Sequence, residues 1–128
     1  MTEIPVRTSR RVEAIDITRD VLKAVQGMPG ALLHVYTPHT TCGLLINEDA
    51  DPYVLEDILE ALDRMVPRGY PYKHAEGNAD AHIKSVLTGC SVTIPLVKSK
   101  PSLGTWQGIF LVEFDGPRER KVVVTVVD

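Results

Sequence analysis

Gln107-Gly108-Ile109-Phe110-Leu111-Val112-Glu113-Phe114 and Lys121-Val122-Val123-Val124-Thr125-Val126-Val127 decide the fold class. Both are strand-length runs rich in β-branched and aromatic residues, and only Asp115-Gly116-Pro117-Arg118 and two further residues part them. Upstream, residues 90–96 form a third such run, followed by the polar Lys98-Ser99-Lys100-Pro101-Ser102 connection. Strands arriving in succession, without a helix between them, point away from alternating β-α units. The expected fold is α+β: a mostly antiparallel sheet or sandwich, with two or three helices, in a single domain spanning residues 1–128.

The rest of the chain fits that frame. Residues 4–8 and 12–16 read as two strands joined at Ser9-Arg10-Arg11. Thr18 can cap a short helix with Val21, Leu22 and Val25 as its stripe. Residues 31–36, broken only by His34, and 42–46 are continuous apolar segments, expected as strands buried on both faces. Asp51 as N-cap and Pro52 at the first helical position open a helix striped by Val54, Leu55, Ile58, Leu59, Leu62 and Met65. Its opposite face is charged and reads as solvated. Asn78 can cap a further helix with Ala79, Ile83, Val86 and Leu87 turned inward and Gly89 at its end.

Composition narrows function. The 128 residues are 44% hydrophobic and 24% charged, with a net charge of −3, the values of an ordinary soluble globular protein. That charge gives no electrostatic footprint for nucleic acid, and one Trp, four Tyr and two Phe make a base-stacking platform improbable. No N-terminal stretch resembles a signal peptide, and no apolar run approaches the ~20 residues of a membrane span. The expectation is a cytoplasmic protein with no nucleic-acid or membrane partner. Cys42 and Cys90 lack any C-x-x-C context and read as small buried hydrophobes in a reducing compartment.

Chemistry-bearing residues fall in short polar clusters. His39-Thr40-Thr41 follows a strand, His74 sits in a loop, and His82 lies near the start of the second long helix. Each has a plain reading: turn residue, exposed loop residue, core-edge residue. Their spacing contains no H-x-H or H-x-x-x-H signature, so the fold would have to assemble any shared site. Asn47-Glu48 reads as strand-end polarity, or as a general base oriented by an amide. Asp80 is favoured near a helix start by the dipole alone. Trp106-Gln107 places the only tryptophan, by default a core residue, beside an amide. Arg118 and Arg120, two residues apart, would share one strand face and could grip a phosphate or a carboxylate, though a surface pair is the commoner arrangement.

In order and spacing, His39-Thr40-Thr41, Leu45-Ile46-Asn47-Glu48, Gly77-Asn78-Ala79-Asp80-Ala81-His82 with Gly89, Leu103-Gly104-Thr105-Trp106-Gln107, and Glu113 with Gly116-Pro117-Arg118 and Arg120 resemble the YjbQ-like family. One departure is Ser99-Lys100, where the family usually has a glycine turn. The resemblance implies a small homotrimer and a weak, secondary thiamine-phosphate synthase activity. It implies a site of His39, His74 and His82 with Asn47, Glu48 and Asp80 as catalytic residues. Thr40, Thr41, Asn78, Trp106, Gln107, Arg118 and Arg120 would then bind substrate, some across a subunit boundary. Three neutral imidazoles could hold a divalent, zinc-like metal with one open position. Magnesium would accompany a diphosphate substrate, since it prefers oxygen ligands. Two other readings stand beside this one. One is a metal-assisted hydrolase using Glu48; the other is a non-catalytic trimer binding a phosphorylated metabolite or an ion.

Overall fold

The alternation of side chains along residues 107–114 is the hinge of the architecture. In a computed structural model describing all of residues 1–128, the elements run β1 (Thr2–Arg7), β2 (Glu13–Asp16), α1 (Thr18–Val25), β3 (Leu32–Tyr36), β4 (Cys42–Glu48) and α2 (Pro52–Met65). They continue through α3 (Ala79–Thr88), β5 (Ser91–Val97), β6 (Lys100–Pro101), β7 (Gln107–Glu113) and β8 (Glu119–Val127). A five-stranded sheet has the order β1-β8-β3-β5-β6, and a three-stranded sheet the order β2-β7-β4. Every pairing is antiparallel. The fold is α+β.

Strand β7 lies at the centre of the small sheet and is buried on both faces. Ile109 and Leu111 point into the main core, where they meet Leu33, Val35, Ile94, Val122 and Val124 of the large sheet. Helix α1 contributes Val21 and Val25 to that core. Phe110, Val112 and the following Phe114 point the other way, against Leu55 of α2 and Ala81 of α3. Period-two alternation therefore yields three layers: large sheet, small sheet, helices. Glu113 continues the row of Ile109 and Leu111, which sets a carboxylate between the sheets.

Several local expectations are corrected. The two strands expected at residues 4–8 and 12–16 form, but they do not pair with each other: β1 pairs with β8, and β2 with β7. Thr18 is the first helical residue rather than the cap; the Asp16 carboxylate accepts from its N–H at 2.9 Å. Strand β3 is buried on one face only, with Leu33 and Val35 inward and Leu32 and Tyr36 exposed. Cys42 is buried, but Cys90 is exposed just beyond α3.

The largest correction concerns α3. Its buried residues are Asp80, Ala81, Lys84 and Ser85, while Ile83, Val86 and Leu87 are exposed. The polar face turns inward because partners wait for it there. The Lys84 ammonium donates to Asp80 at 3.1 Å and to Asp63 of α2 at 3.0 Å. Arg11 reaches Asp80 at 3.2 Å, and Ser85 donates to the Cys42 carbonyl at 2.7 Å. A buried charge is tolerated when it is paired and hydrogen-bonded. Reading apolar residues as the inward face overlooks that arrangement.

Candidate functional site

At one end of the small sheet, the β3–β4 connection, the start of α3 and the segment leading into β8 enclose a polar cleft of about 340 Å³. His39, Thr40, Thr41, Asn78, His82, Arg118 and Arg120 line it together with Glu76 and Pro38. Pro38 is the only lining side chain without a polar group. Seven of the residues singled out in the sequence are therefore brought together by the fold.

The protonation geometry of His39 is fixed by the backbone. The Lys121 N–H donates to His39 Nε2 at 3.1 Å, and the Thr37 hydroxyl donates to the Lys121 carbonyl at 3.0 Å. A backbone N–H can only donate, so Nε2 must carry the lone pair. Burial lowers the ring's pKa, and the Arg120 and Lys121 charges lower it further against the opposing pull of Glu113. The ring is accordingly neutral near pH 7, with its proton on Nδ1. His39 thus lines the cleft as a neutral ring that carries an Nδ1–H.

The two arginines divide their roles. Arg120 is buried, its Nε donating to Glu113 Oε1 at 2.8 Å, with a second bond from Nη2 to Oε2. Nη2 also donates to the Thr41 hydroxyl at 2.8 Å. Arg120 and Thr41 are thus committed to the inter-sheet carboxylate and form the floor of the cleft. Arg118 is exposed, with Nε bound to the Asp115 carbonyl at 2.8 Å and Nη2 to the Asp115 carboxylate at 3.0 Å. Its Nη1 donors are left over. Asn78 donates to Asp115 at 2.9 Å, while its buried Oδ1 has no partner within the protein.

His74 lies beside the cleft rather than in its lining. Its ring packs edge-on against His82, with centroids 5.3 Å apart, and its Nε2 is 3.7 Å from Glu76. The remaining sequence candidates lie elsewhere. Asn47 and Glu48 close the far end of β4, opposite Gly108 and Gln107 of β7. They stand six and seven positions along the chain from Thr41, about 20 Å in an extended strand. There Asn47 accepts from the Glu48 N–H at 2.8 Å, and Glu48 accepts from the Asp51 N–H at 3.2 Å. Trp106 stands at that end too, 63% exposed and not the core residue its type favours. Gln107 accepts from the Gly104 N–H at 2.8 Å. Asp80 is buried in the ion cluster with Arg11 and Lys84 and does not line the cleft. Within one chain the sequence candidates therefore separate into two groups, one at each end of β4.

A metal held by the three histidines does not fit this geometry. No group of three His, Cys, Asp or Glu side chains is placed to hold an ion. The lone pair of His39 is already engaged by Lys121. Sequence reasoning missed Glu76 in the lining and the Lys121 backbone that orients His39. Glu76 could be suspected from the polar loop before Gly77; a backbone contact across 82 residues leaves no local signal.

Fold and site together define a class: small α+β proteins of two antiparallel sheets with a histidine- and arginine-lined cleft at one end. The family model described as UPF0047 protein YjbQ-like matches residues 2–128, and the chain belongs to that family. It is 47% identical to a UPF0047 protein of Methanocaldococcus jannaschii over 95% of this chain and 90% of that protein. It is 51% identical to a UPF0047 protein of Archaeoglobus fulgidus, over 95% of this chain and 97% of that one. Among solved structures, an uncharacterized conserved protein of the same family from Clostridium acetobutylicum is 49% identical, with a TM-score of 0.95 over 99% of this chain and 100% of that one. A hypothetical protein from Aeropyrum pernix is 41% identical, with a TM-score of 0.93 over 98% and 96% of the two chains. No helix is long and apolar enough to cross a membrane.

Proposed function

We propose that the protein is a cytoplasmic enzyme acting on a small phosphorylated metabolite, held by its phosphate in the His39–His82–Arg118 cleft. The observation that carries this reading is the Lys121 N–H held against His39 Nε2, which leaves the ring proton on Nδ1 in the same cleft as the unpaired Nη1 of Arg118. Converging donors of this kind stabilise phosphate oxygens and, in a transition state, a departing pyrophosphate. The thiamine-phosphate synthase reaction implied by the family resemblance fits that chemistry. A thiazole phosphate nitrogen forms a C–N bond to the pyrimidine methylene as the C–O bond to the diphosphate breaks. Magnesium would enter bound to the diphosphate rather than to imidazoles.

The protein would act as a homotrimer. Two observations support this: the apolar residues Ile83, Val86 and Leu87 exposed on α3, and the separation of Glu48 and Trp106 from the histidine cleft. A head-to-tail contact would set one protomer's Glu48–Trp106 end beside its neighbour's cleft. Sedimentation equilibrium should then give three times the 14.1 kDa of one chain. A Val86→Lys, Leu87→Lys double variant should fall to the monomer mass. A wild-type monomer would remove the shared site.

For the cleft itself, calorimetric titration with inorganic pyrophosphate should give saturable binding. Arg118→Ala and His82→Ala should each weaken it by about tenfold to a hundredfold, the loss of one charge-assisted hydrogen bond or two. Unchanged affinity in both variants would refute the assignment. Tight binding without turnover of the pyrimidine and thiazole pair would replace the enzyme by a non-catalytic binding protein.

A further inference from the structure

Seven of the fourteen lysines and arginines have a carboxylate partner within 4.0 Å. Four of the seven without one, Arg19, Lys23, Lys98 and Lys100, line a single groove of about 910 Å³ between α1 and the β5–β6 turn. No acidic side chain lines that groove, although the chain as a whole is acidic. Setting these four charges aside takes the remainder from −3 to −7. So steep a segregation concentrates positive potential where nothing within the protein uses it. The groove floor carries Leu22 and Leu103 alongside the cations.

The turn supplying two of the lysines is held at a conformational cost. Val97 pairs with Lys100, so Lys98 and Ser99 form a two-residue hairpin loop. Both are left-handed, with φ of 52° and 63°. Such loops normally use Asn-Gly or similar pairs, because side chains other than glycine are strained there. A strained turn with a lysine at its tip is an outlier from which a role can be argued. Lys98 and Lys100 share the groove lining with Lys23 and Arg19, which stand one helical turn apart on α1.

We propose that this groove is a second ligand site, separate from the histidine cleft, and that it binds a nucleoside polyphosphate. Three to four ligand charges would meet four unpaired cations, and the base would lie on Leu22 and Leu103. The volume suits such a ligand, within the ~300–1,000 Å³ usual for small-molecule sites. A long nucleic acid is disfavoured, because beyond the groove it would meet the acidic remainder of the surface.

The test is calorimetric titration of the full chain with ATP and, separately, with inorganic tripolyphosphate. Wild type should bind ATP more tightly than tripolyphosphate, with affinity falling as salt rises. Lys98→Ala, Lys100→Ala should weaken ATP binding about tenfold or more. Ser99→Gly, which relieves the turn and keeps the charges, should still bind and should melt no lower than wild type. Arg64→Ala, which removes an unpaired cation that lines neither the groove nor the histidine cleft, should leave ATP binding unchanged. No ATP binding by wild type, or ATP binding undiminished in the double lysine variant, would overturn the proposal. Equal affinity for ATP and tripolyphosphate would overturn its nucleoside part.

Discussion

Replacing Arg120 with alanine should lower stability by about 3–5 kcal/mol, the usual cost of leaving a buried carboxylate unpaired. In a chain of this size that corresponds to a fall in Tm of about 10–20 °C. The Arg120 side chain is 4% exposed and that of Glu113 is 0%, so water cannot replace the lost guanidinium. Thr41 would lose its partner as well, loosening the strand entry beneath His39. Thermal unfolding followed by circular dichroism measures the effect, and a Tm within 2 °C or so of wild type would mean that the pair contributes little. The same pair sets an acid limit. Burial pushes the Glu113 carboxyl up, but hydrogen bonds from Arg120, the Asp115 N–H and Thr8 outweigh it and hold the group below its ordinary value. Asp80 and Asp115 are lowered on similar grounds. A depressed carboxylate stabilises the fold fully above its unfolded pKa, about 4. That contribution is lost as pH falls through the lower folded values. Wild type should accordingly lose stability below pH 4, and Arg120→Ala should show a flatter acid limb.

Asp80→Ala should be comparably damaging, by about 3–5 kcal/mol, for a reason that separates structure from catalysis. The Lys84 side chain, 2% exposed, would keep only Asp63, which is 66% exposed on its outer side. Arg11 would lose its anchor too. Replacing both members of a buried pair with apolar residues avoids the stranded charge. Asp80→Ala combined with Lys84→Met should therefore recover most of the lost stability. If that double variant also binds pyrophosphate like wild type, Asp80 is a structural residue. If it folds well yet loses turnover, Asp80 acts in the chemistry after all.

What could be read from the sequence follows the range of the interactions concerned. The α2 boundaries were legible because Asp51 and Pro52 act locally; Asp51 accepts from the Tyr53 N–H at 3.0 Å. The strand pattern of β7 was legible because its apolar run answers a core on each side. The facing of α3 was not, since its inward choice depends on Arg11, Asp63 and the Cys42 carbonyl, all distant in sequence. His39, His82, Arg118 and Arg120 fall in polar motifs that the fold brings to one cleft, although their spacing along the chain carries no signature of a shared site. Glu48 and Trp106 belong to the same motif set but to the opposite end of β4. Motif order along a chain carries no information on which end of a strand a residue occupies in the assembly.

The central claim is that the cleft recognises phosphate through fixed donors of the protein, with His39 neutral and protonated on Nδ1. The most direct measurement is pyrophosphate titration of protein stripped of metal by chelation and verified by elemental analysis, beside His39→Ala treated identically. Undiminished binding by stripped wild type, weakened at least about tenfold in His39→Ala, is the predicted result. Binding that appears only after zinc is restored would contradict it, and would return the three histidines to the role of ligands.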